Sequence, residues 1–143
     1  MKLLNNIQQE LVVNKTRQGP NYKYHNAEDV LKAVKPLLGD GVILLSDEIV
    51  AVGQFNYIKT TASIKDGSGD VVSVTGWSKE PLEMMRGMDP CKISGCASSY
   101  ARKYALNGLF GINDEPDADE AQQAYGGQSG SQPNNNNNDD FIF

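Results

Sequence analysis

The sequence is poor in the residues and segments that several protein classes require. It contains two cysteines and one histidine among 143 residues, too few for a disulfide framework or for a zinc site built from cysteine and histidine. No apolar run approaches the roughly 18 residues of a membrane-spanning helix, and the first residues turn polar before a signal-peptide core can form. These absences predict a soluble, unexported protein of the reducing cytoplasm with no membrane partner.

The sequence also has no phosphate-binding loop of the form G-x-x-x-x-G-K-[ST], so we expect no nucleotide and no other cofactor. Acidic residues cluster at 114–120, but their spacing lacks the glycine and the distal glutamate of a calcium loop. A magnesium-dependent nuclease is therefore disfavoured, and we predict no catalytic residue and no metal site. His25 has no cysteine or serine at a diagnostic spacing, which favours a capping or surface role.

Basic residues are missing from the last part of the chain. All 13 Lys and Arg lie at or before Lys103, whereas 7 of the 18 acidic residues follow residue 112. Residues 1–112, with 13 basic and 11 acidic side chains, carry a net charge of +2, and residues 113–143 carry −7. The overall charge of −5 therefore conceals a mildly basic body and an acidic tail.

Composition divides the chain into three parts. We predict a folded domain over residues 1–112, a disordered acidic linker rich in glycine and asparagine over 113–138, and a short acidic and hydrophobic tip over 139–143. The tip breaks the polar pattern because it places three large apolar side chains after two acids: Asp139, Asp140, Phe141, Ile142 and Phe143.

The body reads as helices around a small sheet. Apolar residues at helical spacing over 3–11 predict a first helix, and Asn26 is the expected N-cap of a second helix that Pro36 bends or ends and Gly39 stops. Four strand-like runs follow at 42–45, 49–52, 55–64 and 71–77, with a hairpin turn at 65–70. The predicted fold class is α+β, with an antiparallel β-meander packed against helices.

A last helix is predicted from Asp89 as N-cap and Pro90 as first helical residue to a stop at Asn107–Gly108. On a helical wheel one side carries an aromatic and alanine face for packing: Ile93, Ala97, Tyr100, Ala101, Tyr104 and Ala105. The opposite side carries a stripe of basic and small residues that we expect to face outward: Lys92, Gly95, Cys96, Ser99, Arg102 and Lys103.

Two features suit a polyphosphate ligand. Cations and small residues along one helical face can follow a nucleic-acid backbone, although an ordinary solvated face is the commoner explanation of such a stripe taken alone. A second basic concentration interleaves Tyr22 and Tyr24 with Lys15, Arg17, Lys23, Lys32 and Lys35. Aromatic rings beside cations suit unpaired bases, and packing of both tyrosines against the core is the alternative.

The last helix also carries a recognisable pattern. Gly95-Cys96-Ala97-Ser98-Ser99-Tyr100-Ala101-Arg102-Lys103-Tyr104-Ala105-Leu106, followed by Leu109-Phe110-Gly111-Ile112 and Asp114, resembles the signature of the Erf family of bacteriophage single-strand annealing proteins. The resemblance spans roughly residues 20–117. It includes Tyr22-Lys23-Tyr24, the Asp66-Gly67-Ser68-Gly69 hairpin and Met88-Asp89-Pro90.

The resemblance implies a protein that coats single-stranded DNA and pairs complementary strands without ATP during phage recombination, in the cytoplasm of the bacterial host. It implies an annealase-like fold and homo-oligomers in the form of rings or filaments. Arg102 and Lys103 would contact phosphates, and Tyr100 and Tyr104 would mostly pack. The predicted DNA-binding residues are Tyr22, Lys23, Tyr24, Arg86, Lys92, Ser99, Arg102 and Lys103.

The tip resembles the C-terminal tip of bacterial single-stranded DNA-binding proteins, with Ile142 in the place of the usual proline. This likeness implies docking on a recombination exonuclease or a host replication protein. A solubilising tail and an autoinhibitory tail are the alternatives. The competing function is a module that protects single strands and recruits enzymes through the tip without annealing them.

Overall fold

The computed structural model describes residues 1–81 and 89–113. The helices are α1 (Lys2–Glu10), α2 (Ala27–Val34) and α3 (Pro90–Phe110), and a 3₁₀ turn covers Lys35–Leu37. The strands are β1 (Arg17–Gln18), β2 (Lys23–Tyr24), β3 (Val42–Val52), β4 (Phe55–Lys65) and β5 (Val71–Lys79). Arg86, residues 114–138 of the predicted linker and the predicted tip lie outside the described residues.

Two antiparallel sheets contain all five strands. A three-stranded meander runs in the order β3-β4-β5, and a small ribbon pairs β1 with β2. The helices and antiparallel sheets confirm the predicted α+β class and the predicted β-meander. The hairpin between β4 and β5 turns at Asp66–Asp70, as predicted, and the Asp66 carboxylate accepts hydrogen bonds from the backbone N–H groups of Ser68 and Asp70.

One strand replaces the two short strands predicted at 42–45 and 49–52. The polar residues between those runs stay in the strand because each has a partner on β4 across the ladder. Asp47 Oδ1 accepts a hydrogen bond from Thr60 Oγ1 at 2.7 Å. Glu48 Oε1 lies 2.6 Å from Lys59 Nζ. Cross-strand pairs of this kind stabilise a sheet where hydrophobic alternation is interrupted.

The start of α2 confirms Asn26 as an N-cap. Its side chain accepts a hydrogen bond from the Asp29 N–H, and the Asp29 carboxylate accepts one from the Asn26 N–H. This reciprocal pair is a capping box, which satisfies two backbone donors at the helix start. Helix α2 ends at Val34, and Pro36 lies in the 3₁₀ turn that follows it.

Helix α3 begins as predicted and ends three residues later than predicted. Asp89 Oδ1 accepts a hydrogen bond from the Lys92 N–H at 2.9 Å, and Pro90 opens the helix. The helix continues through Gly108 to Phe110 because Leu109 and Phe110 are buried in the main core. Gly111, with φ 67°, provides the left-handed C-cap instead.

The contact between α3 and the sheet is unusually close. Gly76 of β5 is buried, and a β-carbon at this position would overlap the backbone of Ala101 and Ala105. Ala97, Ala101 and Ala105 form the helix face that meets the sheet, all at most 4% exposed. Small side chains on both partners therefore let the helix lie directly on the strands.

The predicted packing face of α3 is only partly right. The three alanines pack on the sheet, but Tyr100 and Tyr104 are 53% and 47% exposed. The expectation that these tyrosines mostly pack is therefore wrong. The helix approaches the sheet so closely at Gly76 that only alanines fit beneath it, and the bulky rings lie on its flank.

The Gly76 contact gives a first prediction. We expect Gly76→Ala to lower the free energy of unfolding by about 1–3 kcal/mol, because the added methyl group must displace the α3 backbone. Gly95→Ala is the matched control, since Gly95 has open space around it on the same helix. That variant should gain about 0.5–1 kcal/mol from helix propensity. Urea unfolding measures both, and equal effects of the two substitutions would contradict the packing argument.

Candidate nucleic-acid interface

The segment before α2 lies on α3. His25 is only 1% exposed, and its Nε2 lies 3.2 Å from Asn107 Oδ1, which permits a hydrogen bond with a protonated Nε2 as donor. The expected capping or surface role of His25 is therefore wrong. The helical wheel predicted one packed face for α3. In the structure, residues 24–26 contact a second face of the helix, which includes Asn107.

A cleft of about 170 Å³ opens between this segment and α3. Its lining joins residues from the two separate predicted binding regions: Tyr24, His25, Asn26, Ser99, Tyr100 and Lys103. Three of them are predicted site residues: Tyr24 lies 75 or more positions before Ser99 and Lys103 in sequence. We call this space the helix cleft. Folding thus brings together an aromatic ring, a cation and a hydroxyl group.

Lys103 does not face outward as predicted. Its side chain is mostly covered, at 9% exposure, because β2 and the residues after it lie over this part of α3. Its ammonium lies 5.8 Å from the centroid of the Tyr24 ring, within cation–π range. Lys103 therefore contributes its charge from inside the helix cleft.

The tyrosines at the mouth of the cleft are accessible. Tyr22 is 47% exposed, and its ring centroid lies 5.9 Å from that of Tyr24. Tyr100 lines the cleft from α3 with about half of its surface exposed, a position that the helical wheel did not predict. Lys23, between Tyr22 and Tyr24, is also exposed. An unpaired base thus has several aromatic faces within reach.

Arg102 lies on another side of α3 and pairs with the sheet. Its Nη2 is 3.0 Å from Asp47 Oδ2, and its Nε donates to the same carboxylate at 3.1 Å. Asp47 also accepts from Ser98 Oγ at 2.6 Å and from Thr60 Oγ1. This network, which we call the Asp47 clasp, connects β3, β4 and α3. The predicted stripe is therefore divided, with Lys103 in the cleft and Arg102 in the clasp.

The remaining predicted cations are distributed over the surface. Lys92 is exposed in the first turn of α3 and is not part of the cleft lining. Arg17 pairs with Asp29 at 2.7 Å and lies 3.5 Å from Glu28, and Lys32 pairs with Glu28 at 3.0 Å. The basic concentration seen in the sequence is thus partly neutralised by the acids of α2.

A second cleft of about 160 Å³ runs along β5 and shares Tyr100 with the first. Its lining includes Ser78, Lys79, Pro81 and Ile93. Sequence reasoning missed Lys79 as a candidate site residue. A signal was present, because Phe55, Tyr57 and Lys59 alternate along β4 while Trp77 and Lys79 alternate along β5, so each set shares one face of its strand.

Within residues 1–81 and 89–113, no helix is long and apolar enough to cross a membrane. Over the same ranges, His, Cys, Asp and Glu form no group of three or more that could hold a metal ion.

Comparison with known proteins gives the class to which this arrangement belongs. Residues 1–141 match the ERF superfamily, and the chain belongs to that family. A similar relative is the essential recombination function protein of Salmonella phage P22, which is 50% identical over 98 residues. That match covers 68% of this chain and 47% of the relative, so the chain spans about half of the relative's length.

The Asp47 clasp predicts an acid-sensitive link between sheet and helix. Partial burial acts to raise the pKa of Asp47, but hydrogen bonds from Ser98, Thr60 and Arg102 outweigh it and hold the pKa below its usual value. A lowered folded-state pKa contributes stability above the unfolded-state value of about 3.9, and that stability is lost as pH falls through the folded-state value.

We therefore expect the free energy of unfolding to fall below about pH 4 more steeply in the wild type than in Asp47→Asn, which has no carboxylate to protonate. Urea unfolding from pH 6 down to the lowest pH at which the protein is folded measures both slopes. Parallel curves for the two proteins would show that protonation of Asp47 does not weaken the clasp.

Proposed function

We propose that this protein binds single-stranded DNA in the helix cleft and anneals complementary strands in phage recombination, without nucleotide hydrolysis and without bond chemistry. The observation that supports the proposal most strongly is the assembly of Tyr24, Tyr100 and Lys103 at one cleft on the signature helix. Membership of a recombination family supports the same reading.

The residues of the cleft have complementary tasks. Lys103 supplies positive charge for a phosphate, and its cover by residues 24–26 reduces screening by solvent. Tyr22, Tyr24 and Tyr100 offer ring faces on which unpaired bases stack whatever their sequence. Ser99 places a hydroxyl beside them, although its Oγ donates to the Gly95 carbonyl at 3.0 Å. Bases held apart in this way remain available to a complementary strand.

Annealing also requires that phosphate repulsion between two strands be reduced. A body with a net charge of +2 holds DNA weakly alone, so we propose that several copies act on one strand as a homo-oligomer. Each copy then neutralises a few phosphates, and the summed field lowers the barrier to the meeting of two strands.

The proposal is tested by the pairing of two complementary labelled oligonucleotides in the absence of ATP, followed by fluorescence transfer. We expect the protein to accelerate duplex formation, with both strands intact on a denaturing gel. Tight binding that slows pairing would instead support the competing function of strand protection. Magnesium-dependent cleavage would contradict the proposal in favour of a nuclease.

The two exposed tyrosines of α3 provide a matched pair of variants. Tyr100 lines the helix cleft, whereas Tyr104, one turn later and similarly exposed, is not part of its lining. We expect Tyr100→Leu to weaken binding of oligo(dT) by about 1–3 kcal/mol through loss of one stacking surface. Fluorescence anisotropy of labelled oligo(dT) measures the affinity. Tyr104→Leu should bind as the wild type does, and an equal loss in both variants would move the DNA away from the cleft.

A further inference from the structure

The sheet has an outer face that no described helix covers. Helix α3 packs on the face that carries Ile58, Ala62 and Gly76, and the alternate residues of each strand point to the opposite side. Leu44 and Val71 on this outer face are 63% and 56% exposed. Apolar side chains are thus exposed on both outer strands of this face.

One end of the outer face combines aromatic rings with lysines. This aromatic–lysine patch consists of Phe55, Tyr57, Lys59, Trp77 and Lys79. Tyr57 is opposite Lys79 in the β4–β5 ladder, and Lys59 is opposite Trp77. The rings of Tyr57 and Trp77 meet edge to face, with centroids 6.5 Å apart, and Trp77 is 43% exposed. Rings and cations therefore alternate in both directions across the patch.

Contacts with the rings hold both ammonium groups in place. Lys79 Nζ lies 3.5 Å from the centroid of the Phe55 ring, and Lys59 Nζ lies 5.5 Å from that of Trp77. Cation–π attraction of this kind fixes a flexible lysine without neutralising its charge. Tyr57 and Trp77 are thus flanked by two positioned ammonium groups, of which that of Lys59 also pairs with Glu48.

Lys79 also connects the patch with the clefts on the other side of the sheet. It lines the cleft along β5 together with Tyr100, and Tyr100 lines the helix cleft as well. β5 is an edge strand, paired only with β4 among the described strands. Shared lining residues therefore relate Tyr24 to Tyr100, Tyr100 to Lys79, and, along β5, Lys79 to Trp77.

We propose that the aromatic–lysine patch is a second contact surface for single-stranded DNA, on which a strand leaving the helix cleft crosses the β5 edge and stacks its bases on Tyr57 and Trp77. This inference rests on the proposed function, since it extends the same strand. Aromatic residues on an open sheet face stack unpaired bases in other nucleic-acid-binding folds, and flanking lysines neutralise phosphates. An acidic peptide would satisfy the lysines and leave the two ring faces unused.

The ion pair between Lys59 and Glu48 predicts that one substitution increases the affinity of the patch for DNA. Glu48 is 58% exposed at its side chain and lies 2.6 Å from the Lys59 ammonium, so it competes with a phosphate for that charge. Removal of the carboxylate therefore strengthens binding at the patch. An increase in affinity on this substitution distinguishes a role of the patch in DNA binding from damage to the fold, which would lower the affinity.

The test uses the emission of Trp77, the one tryptophan of the chain. The full chain is titrated with unlabelled oligo(dT) of about eight nucleotides, short enough to occupy one copy. We expect saturable quenching of Trp77. Lys79→Ala should require more oligonucleotide for half-quenching and should lower the slope of log affinity against log salt by about 0.7. Glu48→Gln should require less, and Lys2→Ala, at an exposed lysine of α1, should match the wild type.

A parallel anisotropy titration with labelled oligo(dT) separates the two proposals. Binding that leaves Trp77 emission unchanged, or quenching that Lys79→Ala does not weaken, overturns the second surface and leaves the proposed function standing. Absence of any binding in the anisotropy titration overturns the proposed function itself.

Trp77 emission that changes with protein concentration in the absence of DNA assigns the outer face to a second copy of the chain. Quenching by a peptide of residues 134–143 but not by oligo(dT) assigns the face to an acidic peptide. Either result overturns the inference.

Discussion

The close contact between α3 and the sheet at Gly76 is the constraint on which the other features depend. Because Ala101 and Ala105 lie directly on Gly76, the helix has no room for larger side chains beneath it. The rings of Tyr100 and Tyr104 are displaced to the flank, and Arg102 on the other flank comes within reach of Asp47. Residues 24–26 pack on the side of the helix that faces away from the sheet, and the helix cleft lies between them and the helix. One small-residue contact thus determines how four surfaces of the helix are used.

Local signals in the sequence were sufficient for most of the architecture. Asn26 and Asp89 were recognisable as N-caps because capping depends on a side chain and the first helical turn. The β4–β5 hairpin was recognisable from its Asp-Gly turn. The end of α3 was not recognisable in the sequence. Gly108 is a local stop signal, but the burial of Leu109 and Phe110 overrides it. The continuity of β3 also depends on partners in β4, which are absent from any local window.

The candidate site also depends partly on local sequence and partly on contacts between distant residues. Three of the predicted residues, Tyr24, Ser99 and Lys103, lie together at one cleft. Their environments were not predicted, because a helical wheel contains one packed face and α3 has two. Burial of Lys103 and exposure of Tyr100 both follow from the position of residues 24–26, which only the folded chain supplies. The outer face of the sheet was not predicted as a site, because alternation in β4 and β5 indicates which residues share a face but not that the face is left uncovered.

The helix cleft is built from the two ends of the domain. His25 beside the cleft contacts Asn107 of α3. The two residues are 82 positions apart, and the strands of the sheet that supports α3 lie between them in sequence. A contact of such long range costs the entropy of closing the intervening chain. On a ribosome the nascent chain has no helix cleft until α3 has emerged and docked. A ligand of this cleft therefore has no complete binding site on a chain that lacks α3.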